Sequence, residues 1–181
     1  MKLAFDDRAS RGLVGLLAFV VWTAVAIVHA PEKAADFYVF WTAGQHASAP
    51  YDPAIIAAMK VRFHIVGQVP FVYPPTFLLL VWPFAQLPLA LAYPLWTGLS
   101  AALFFYAAAH VVRPAWAAVA LFIAPPVVLA IAPGQTSLVV GAAMMFGWLA
   151  LKERPALAGL VFAIAACIKP QAMLLAPVVL W

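Results

Sequence analysis

The residues best equipped for chemistry stand in one stretch, Asp36-Phe37-Tyr38-Val39-Phe40-Trp41-Thr42-Ala43-Gly44-Gln45-His46, followed by Tyr51-Asp52-Pro53. A carboxylate among aromatic side chains is partly desolvated, and desolvation raises its pKa and makes it a stronger base. Asp36 is therefore the candidate chemical centre. The plainer reading is an interfacial carboxylate that pairs with Lys33 or caps the helix that follows. Asp52, just ahead of Pro53, reads as a turn or N-cap residue. His46 is either a ligand for a polar group or phosphate, or an exposed interfacial histidine.

Two further polar residues stand out because the chain around them is apolar. Gln135 follows a Pro133-Gly134 break between two hydrophobic runs, where irregular backbone is expensive unless it lines a cavity. A surface turn is the alternative. Lys169 ends an apolar helix and precedes Pro170, so it either snorkels to the membrane interface or pairs with an anion such as a lipid phosphate. Tyr73-Pro74-Pro75 reads as a structural corner that could line the same site. No His/Cys/Glu grouping has metal-ligand spacing, and no phosphate loop, dinucleotide turn or marked triad is present. The sequence thus calls for no metal and no cofactor. Gly141 to Gly147 reads as a helix-packing face. The lone cysteine, Cys167, reads as a small buried packing residue.

The elements that must position these groups are membrane helices. Of 181 residues, 67% are apolar and 9% charged, far from the roughly one-quarter charged of soluble domains. The mean hydropathy is +1.04. Long apolar runs without period-2 alternation point to an all-α polytopic membrane protein rather than a barrel. The net charge of +4 comes from cations scattered at segment ends, which argues against a nucleic-acid partner and speaks to topology instead.

Residues 1–11 form a polar, cytoplasmic tail, and the 19 uncharged residues 12–30 span about 28 Å as a first, uncleaved transmembrane helix. Residues 31–73 form an outer loop with interfacial helices, one amphipathic over Ala34–Ala47 and one over Ala54–His64 with Pro53 at its first position. Residues 74–88 hold a run of about 18 Å, Thr76–Leu87, too short to cross unaided and read as re-entrant or surface-lying. The remaining spans fill 89–181, for about six in all. With Arg113 and the Lys152/Arg154 loop cytoplasmic, Gln135 and Lys169 fall on the outer side with Asp36. If the short run crosses instead, everything downstream inverts and Lys169 leaves Asp36. The apolar run reaching Trp181 without a polar tail reads as a single module, incomplete at its C-terminus.

In order and spacing, Asp36-Phe37-Tyr38-Val39-Phe40-Trp41-Thr42-Ala43-Gly44, Tyr51-Asp52-Pro53, Tyr73-Pro74-Pro75, Gly134-Gln135 and Lys169-Pro170-Gln171 resemble glycosyltransferase family 87. The resemblance extends from about Gly12 onward. It implies a GT-C-like fold in the cell membrane and inverting transfer of a sugar, mannose in particular, from a polyprenyl-phosphate donor to a lipid or glycan acceptor on the outer face. Asp36 would be the general base and Lys169 the partner of the lipid phosphate, with Gln135, Tyr38 and His46 lining the substrate cavity. The chain is much shorter than typical members. The alternative is therefore a non-catalytic membrane fragment, a transporter piece or an assembly subunit.

Overall fold

The computed structural model describes residues 7–67 and 69–175, and among them every regular element is helical. The first helix, α1, runs Asp7–Lys33, several residues beyond the uncharged stretch at each end. Charge limits the apolar part of a helix, whereas its backbone hydrogen bonds continue through polar residues. Two short helices follow, α2 (Ala35–Gln45) and α3 (Pro53–Arg62). A 3₁₀ turn over Pro75–Phe77 feeds α4 (Leu78–Ala85), and Pro88 precedes α5 (Leu89–Val111). The apolar run after Arg113 is split into a 3₁₀ segment, Ala115–Ile123, and α6, Pro125–Ile131. Ala124, caught before Pro125-Pro126, takes an extended ψ of 124°, as a residue ahead of proline must, and this ends the first segment. The chain continues through α7 (Ser137–Ala150), α8 (Pro155–Ile168) and a 3₁₀ turn over Pro170–Leu175. The rest of the last apolar run lies outside the described residues.

Among the described residues, two helices are long and apolar enough to cross a membrane: 21 residues of α1, Arg8–Val28, and the 23 of α5. Six spans are thus more than the helix lengths show. At 14 residues each, α7 and α8 reach only about 21 Å.

α1 and α5 lie antiparallel. Gly15 in the first faces Tyr106 near the end of the second, and Gly98 sits where a Cβ would overlap Thr23. α7 and α8 form an antiparallel hairpin in which Gly147 makes room for the Phe162 ring, as the small-residue face implied. The basic residues at the start of α1, after α5 and in the α7–α8 turn thereby collect at one end. His110, Glu153 and Arg154 line one groove there. Asp36, Gln135 and Lys169 lie at the other.

That second end is built on aromatics. Phe37, Phe77 and Trp96 are fully buried around Phe40, whose ring meets Tyr73 at 4.9 Å and Phe77 at 5.1 Å, both edge-on. α2 is the centre of this cluster, and all of residues 37–44 are buried. The expected amphipathic interfacial helix, with aromatics down and polar groups up, is therefore corrected: over residues 37–44 α2 is enclosed on every side. α4, α5 and the Phe71–Phe77 corner pack around that stretch, and only its ends, with half-buried Asp36 and exposed Gln45, reach out of it. Trp41 Nε1 fastens it to the Leu87 carbonyl at 3.1 Å. Cys167 also departs from expectation, since it is exposed on α8 rather than buried.

Candidate active site

The site is assembled on the break between α6 and α7. Gly134 has φ +77°, a left-handed conformation that glycine adopts freely, and a Cβ there would lie 2.7 Å from the Phe37 Cβ. Both the turn and the close approach of α2 require the bare backbone. Non-repetitive backbone inside a packed apolar body must have its polar groups satisfied. Three consecutive carbonyls meet that demand. The Tyr93 hydroxyl donates to Ala132 at 2.7 Å, the Phe37 N–H to Pro133 at 3.0 Å, and Trp96 Nε1 to Gly134 at 2.9 Å. The Gln135 N–H in turn reaches the Ala130 carbonyl at 2.9 Å. The break is thus locked to α2 and α5, and Gln135 leaves it in a fixed direction.

That direction is toward Asp36. Gln135 Nε2 donates to Asp36 Oδ2, and Lys169 Nζ donates to Gln135 Oε1 at 3.4 Å and to Ser137 Oγ at 3.1 Å. A carboxylate, an amide and an ammonium therefore form one chain from three parts of the sequence. Asp36 lies in the first turn of α2, where the helix dipole favours a negative charge. It makes no side-chain cap to that helix, so the capping role is corrected. The suggested Lys33 partner falls outside the described side chains. Burial raises the Asp36 pKa above the usual carboxylate value, while the Gln135 hydrogen bond and the Lys169 charge pull part of the way back. Burial lowers the Lys169 pKa, and the Asp36 charge opposes it.

The Tyr73-Pro74-Pro75 corner closes one side. The Tyr73 hydroxyl meets that of buried Thr136 at 3.2 Å, and its carbonyl accepts from Tyr51 at 2.7 Å. Thr76 Oγ1 donates to the Cys167 carbonyl at 3.1 Å, joining this corner to the end of α8 beside Lys169. Burial raises the Tyr73 pKa, so its phenol stays protonated over the range in which carboxylates titrate.

Of the residues picked out by sequence, Asp36, Gln135 and Lys169 are brought together, with Tyr73 beside them. Tyr38 is buried with its ring stacked on Phe63 at 4.2 Å. His46 is exposed at the far end of α2, about 15 Å of helix from Asp36. Asp52 is an N-cap, its Oδ1 accepting from the Ala54 N–H at 2.8 Å. Gln135, expected to line a cavity, is partly buried, and its amide is engaged by protein groups at both ends. Sequence reasoning missed Tyr93, Trp96, Thr136 and Ser137. The Thr136-Ser137 pair right after Gly134-Gln135 was a visible signal, whereas Tyr93 and Trp96 look like ordinary aromatics of an apolar helix. Among the described residues, no three or more His, Cys, Asp or Glu side chains gather as a metal site would need.

A model of glycosyltransferase family 87 matches residues 71–181, well over half of the chain. The chain belongs to glycosyltransferase family 87. Comparison with curated proteins and with solved structures returns no match. The family match holds Tyr73, Gln135 and Lys169, and it begins after Asp36, Tyr38 and His46, so it is narrower than the resemblance read from Gly12 onward. Membership makes this a sugar-transferring protein that works between a donor and an acceptor. Together with two apolar helices of spanning length, it makes the chain a membrane protein.

Proposed function

We propose that this chain carries the catalytic base of a GT-C-type, multi-pass mannosyltransferase of the cell membrane, which moves its sugar from a polyprenyl-phosphate donor to a lipid or glycan acceptor outside the cytoplasm. The observation that carries the reading is the hydrogen-bonded chain from Asp36 through Gln135 to Lys169. It sets a carboxylate and a cation on either side of one amide at one end of the helices, within reach of one reacting group. The basic residues at the opposite end are the cytoplasmic ones by the positive-inside rule, and this turns Asp36 outward. Lys152 and Arg154, reaching for the headgroups, extend the short α7 and α8 toward the interface.

In the reaction, Asp36 takes the proton of an acceptor hydroxyl as that oxygen bonds to the anomeric carbon of the donor sugar. The bond from that carbon to the phosphate oxygen breaks, and the electron pair leaves with the lipid phosphate. Attack opposite the leaving group inverts the anomeric centre. Lys169 offsets the charge that develops on the phosphate, and Gln135 holds the carboxylate in place. In this reading Tyr38, buried against Phe63, backs the site from within the aromatic cluster, and His46 lies toward the mouth of the substrate cavity.

Transfer of radiolabelled mannose from a polyprenyl-phosphate-mannose donor, measured in membranes, tests the reading. Asp36→Asn removes the base while leaving the side chain's shape, so transfer falls by about 10²–10⁴ with membrane insertion unchanged. Wild-type rates in correctly inserted Asp36→Asn would end it, and would favour a non-catalytic membrane subunit.

A further inference from the structure

The Gln135 amide faces an ionisable group at each end. Its Nε2 donates to Asp36 and its Oε1 accepts from Lys169 Nζ at 3.4 Å. Turned over, the amide would set an acceptor against a carboxylate and a donor against an ammonium, so both neighbours impose one orientation. Lys169 also divides its donors, since Nζ reaches Ser137 Oγ at 3.1 Å on the exposed start of α7. The cation is therefore shared between an inward partner leading to Asp36 and an outward hydroxyl.

We propose that Gln135 is a positioning residue that couples a phosphate bound beside Lys169 and Ser137 to the basicity of Asp36. The proposal rests on the function assigned above and names the regulation of that site. Without phosphate, the Lys169 charge favours the ionised carboxylate through the Gln135 bridge, and a stabilised carboxylate is a weaker base. A phosphate anion at Lys169 and Ser137 neutralises that field and draws Nζ away from Gln135 Oε1. Asp36 then becomes the stronger base when the sugar-bearing phosphate is in place, and it stays a poor base toward water and acceptor alone. Among the described side chains, three groups face the carboxylate: Lys169 at the end of α8, Gln135 ahead of α7, and the neutral phenol of Tyr73 from the proline corner. Lys169 is the one among them whose charge a phosphate can cancel.

The test is an infrared titration of the full chain in lipid nanodiscs, following the protonated-carboxyl band that Asp36→Asn removes. Undecaprenyl phosphate is the probe, its binding measured separately by thermal shift, and inorganic phosphate is the second arm. In the wild type, bound undecaprenyl phosphate moves the Asp36 midpoint to higher pH. In Lys169→Met the midpoint is already high and phosphate adds nothing, Lys169→Arg restores the wild-type response, and Gln135→Leu shrinks it. An unmoved midpoint with undecaprenyl phosphate bound overturns the coupling, as does Lys169→Met titrating like the wild type. A raised midpoint in Lys169→Met together with no binding of undecaprenyl phosphate supports the link between Lys169 and Asp36 and refutes the lipid-phosphate donor. A response to inorganic phosphate alone assigns the site to free phosphate.

Discussion

In the proposed reaction, two half-buried charges of opposite sign set the pH window in which this site can work. A general base acts only when ionised, so activity is present above the Asp36 pKa and lost as pH falls through it. Burial has raised that pKa, which moves the acid limb above that of an ordinary aspartate. Lys169 acts only when protonated, and burial has lowered its pKa, so the alkaline limb lies below that of a free lysine. The expected pH–rate profile is a bell narrower at both edges than free Asp and Lys would give, measured as mannose transfer against pH. Lys169→Arg, which holds its proton throughout, moves the alkaline limb upward. A profile with limbs at the ordinary carboxylate and amine values would contradict the burial of both groups. Asp36, Gln135 and Lys169 were legible in the sequence because a polar side chain in so apolar a chain needs a reason to be there. Tyr93 and Trp96 were harder to read, because an aromatic in an apolar helix has an ordinary local explanation.

At the scale of elements, the break between α6 and α7 decides whether the site exists. Its tight turn depends on Gly134, and its exposed carbonyls depend on donors from α2 and α5. Gly134→Ala forces a side chain into the left-handed region, at about 1–2 kcal/mol, and overlap with Phe37 adds about 1–3 kcal/mol. Gly159→Ala, in the interior of α8 where a Cβ would meet nothing within 4 Å, is the control and should stabilise by about 0.5–1 kcal/mol through helix propensity. Trp96→Phe keeps the ring in the aromatic cluster and leaves the Gly134 carbonyl without its donor, a loss of about 1–3 kcal/mol. Thermal unfolding in detergent reads all three. Equal stability of Gly134→Ala and Gly159→Ala would show that the turn is not held as described. The extent of α3 was legible to within two residues because Pro53 marks its start locally. The enclosure of α2 was not, since its surroundings come from residues 71–96, far along the chain. A mixed aromatic and polar segment reads as amphipathic until those neighbours are known.

At the scale of the molecule, one arrangement ties the chemistry to the membrane. The Asp36–Gln135–Lys169 chain holds three distant segments at the same end of the helices, and the antiparallel α7–α8 hairpin sends Lys152 and Arg154 to the other. The short helical stretch Pro75–Ala85 belongs with the first group, because its corner is hydrogen-bonded to Cys167 and packs edge-on against the Phe40 ring of α2. At 11 residues it covers about 16 Å, roughly half a hydrocarbon core. The packing brings Gln135 and Lys169 to the end that holds Asp36, which is the grouping that the parity argued from charge and from the length of this run expects. In a Cys167→Ser background, His46→Cys and Lys152→Cys probe exposed positions at the two ends. A membrane-impermeant maleimide should label position 46 in intact cells and position 152 only after permeabilisation. The reverse pattern would put the site in the cytoplasm and take from it an outer-face acceptor. Labelling of both positions from one side would contradict the separation of the ends, and with it the claim that the cations away from the site set its orientation.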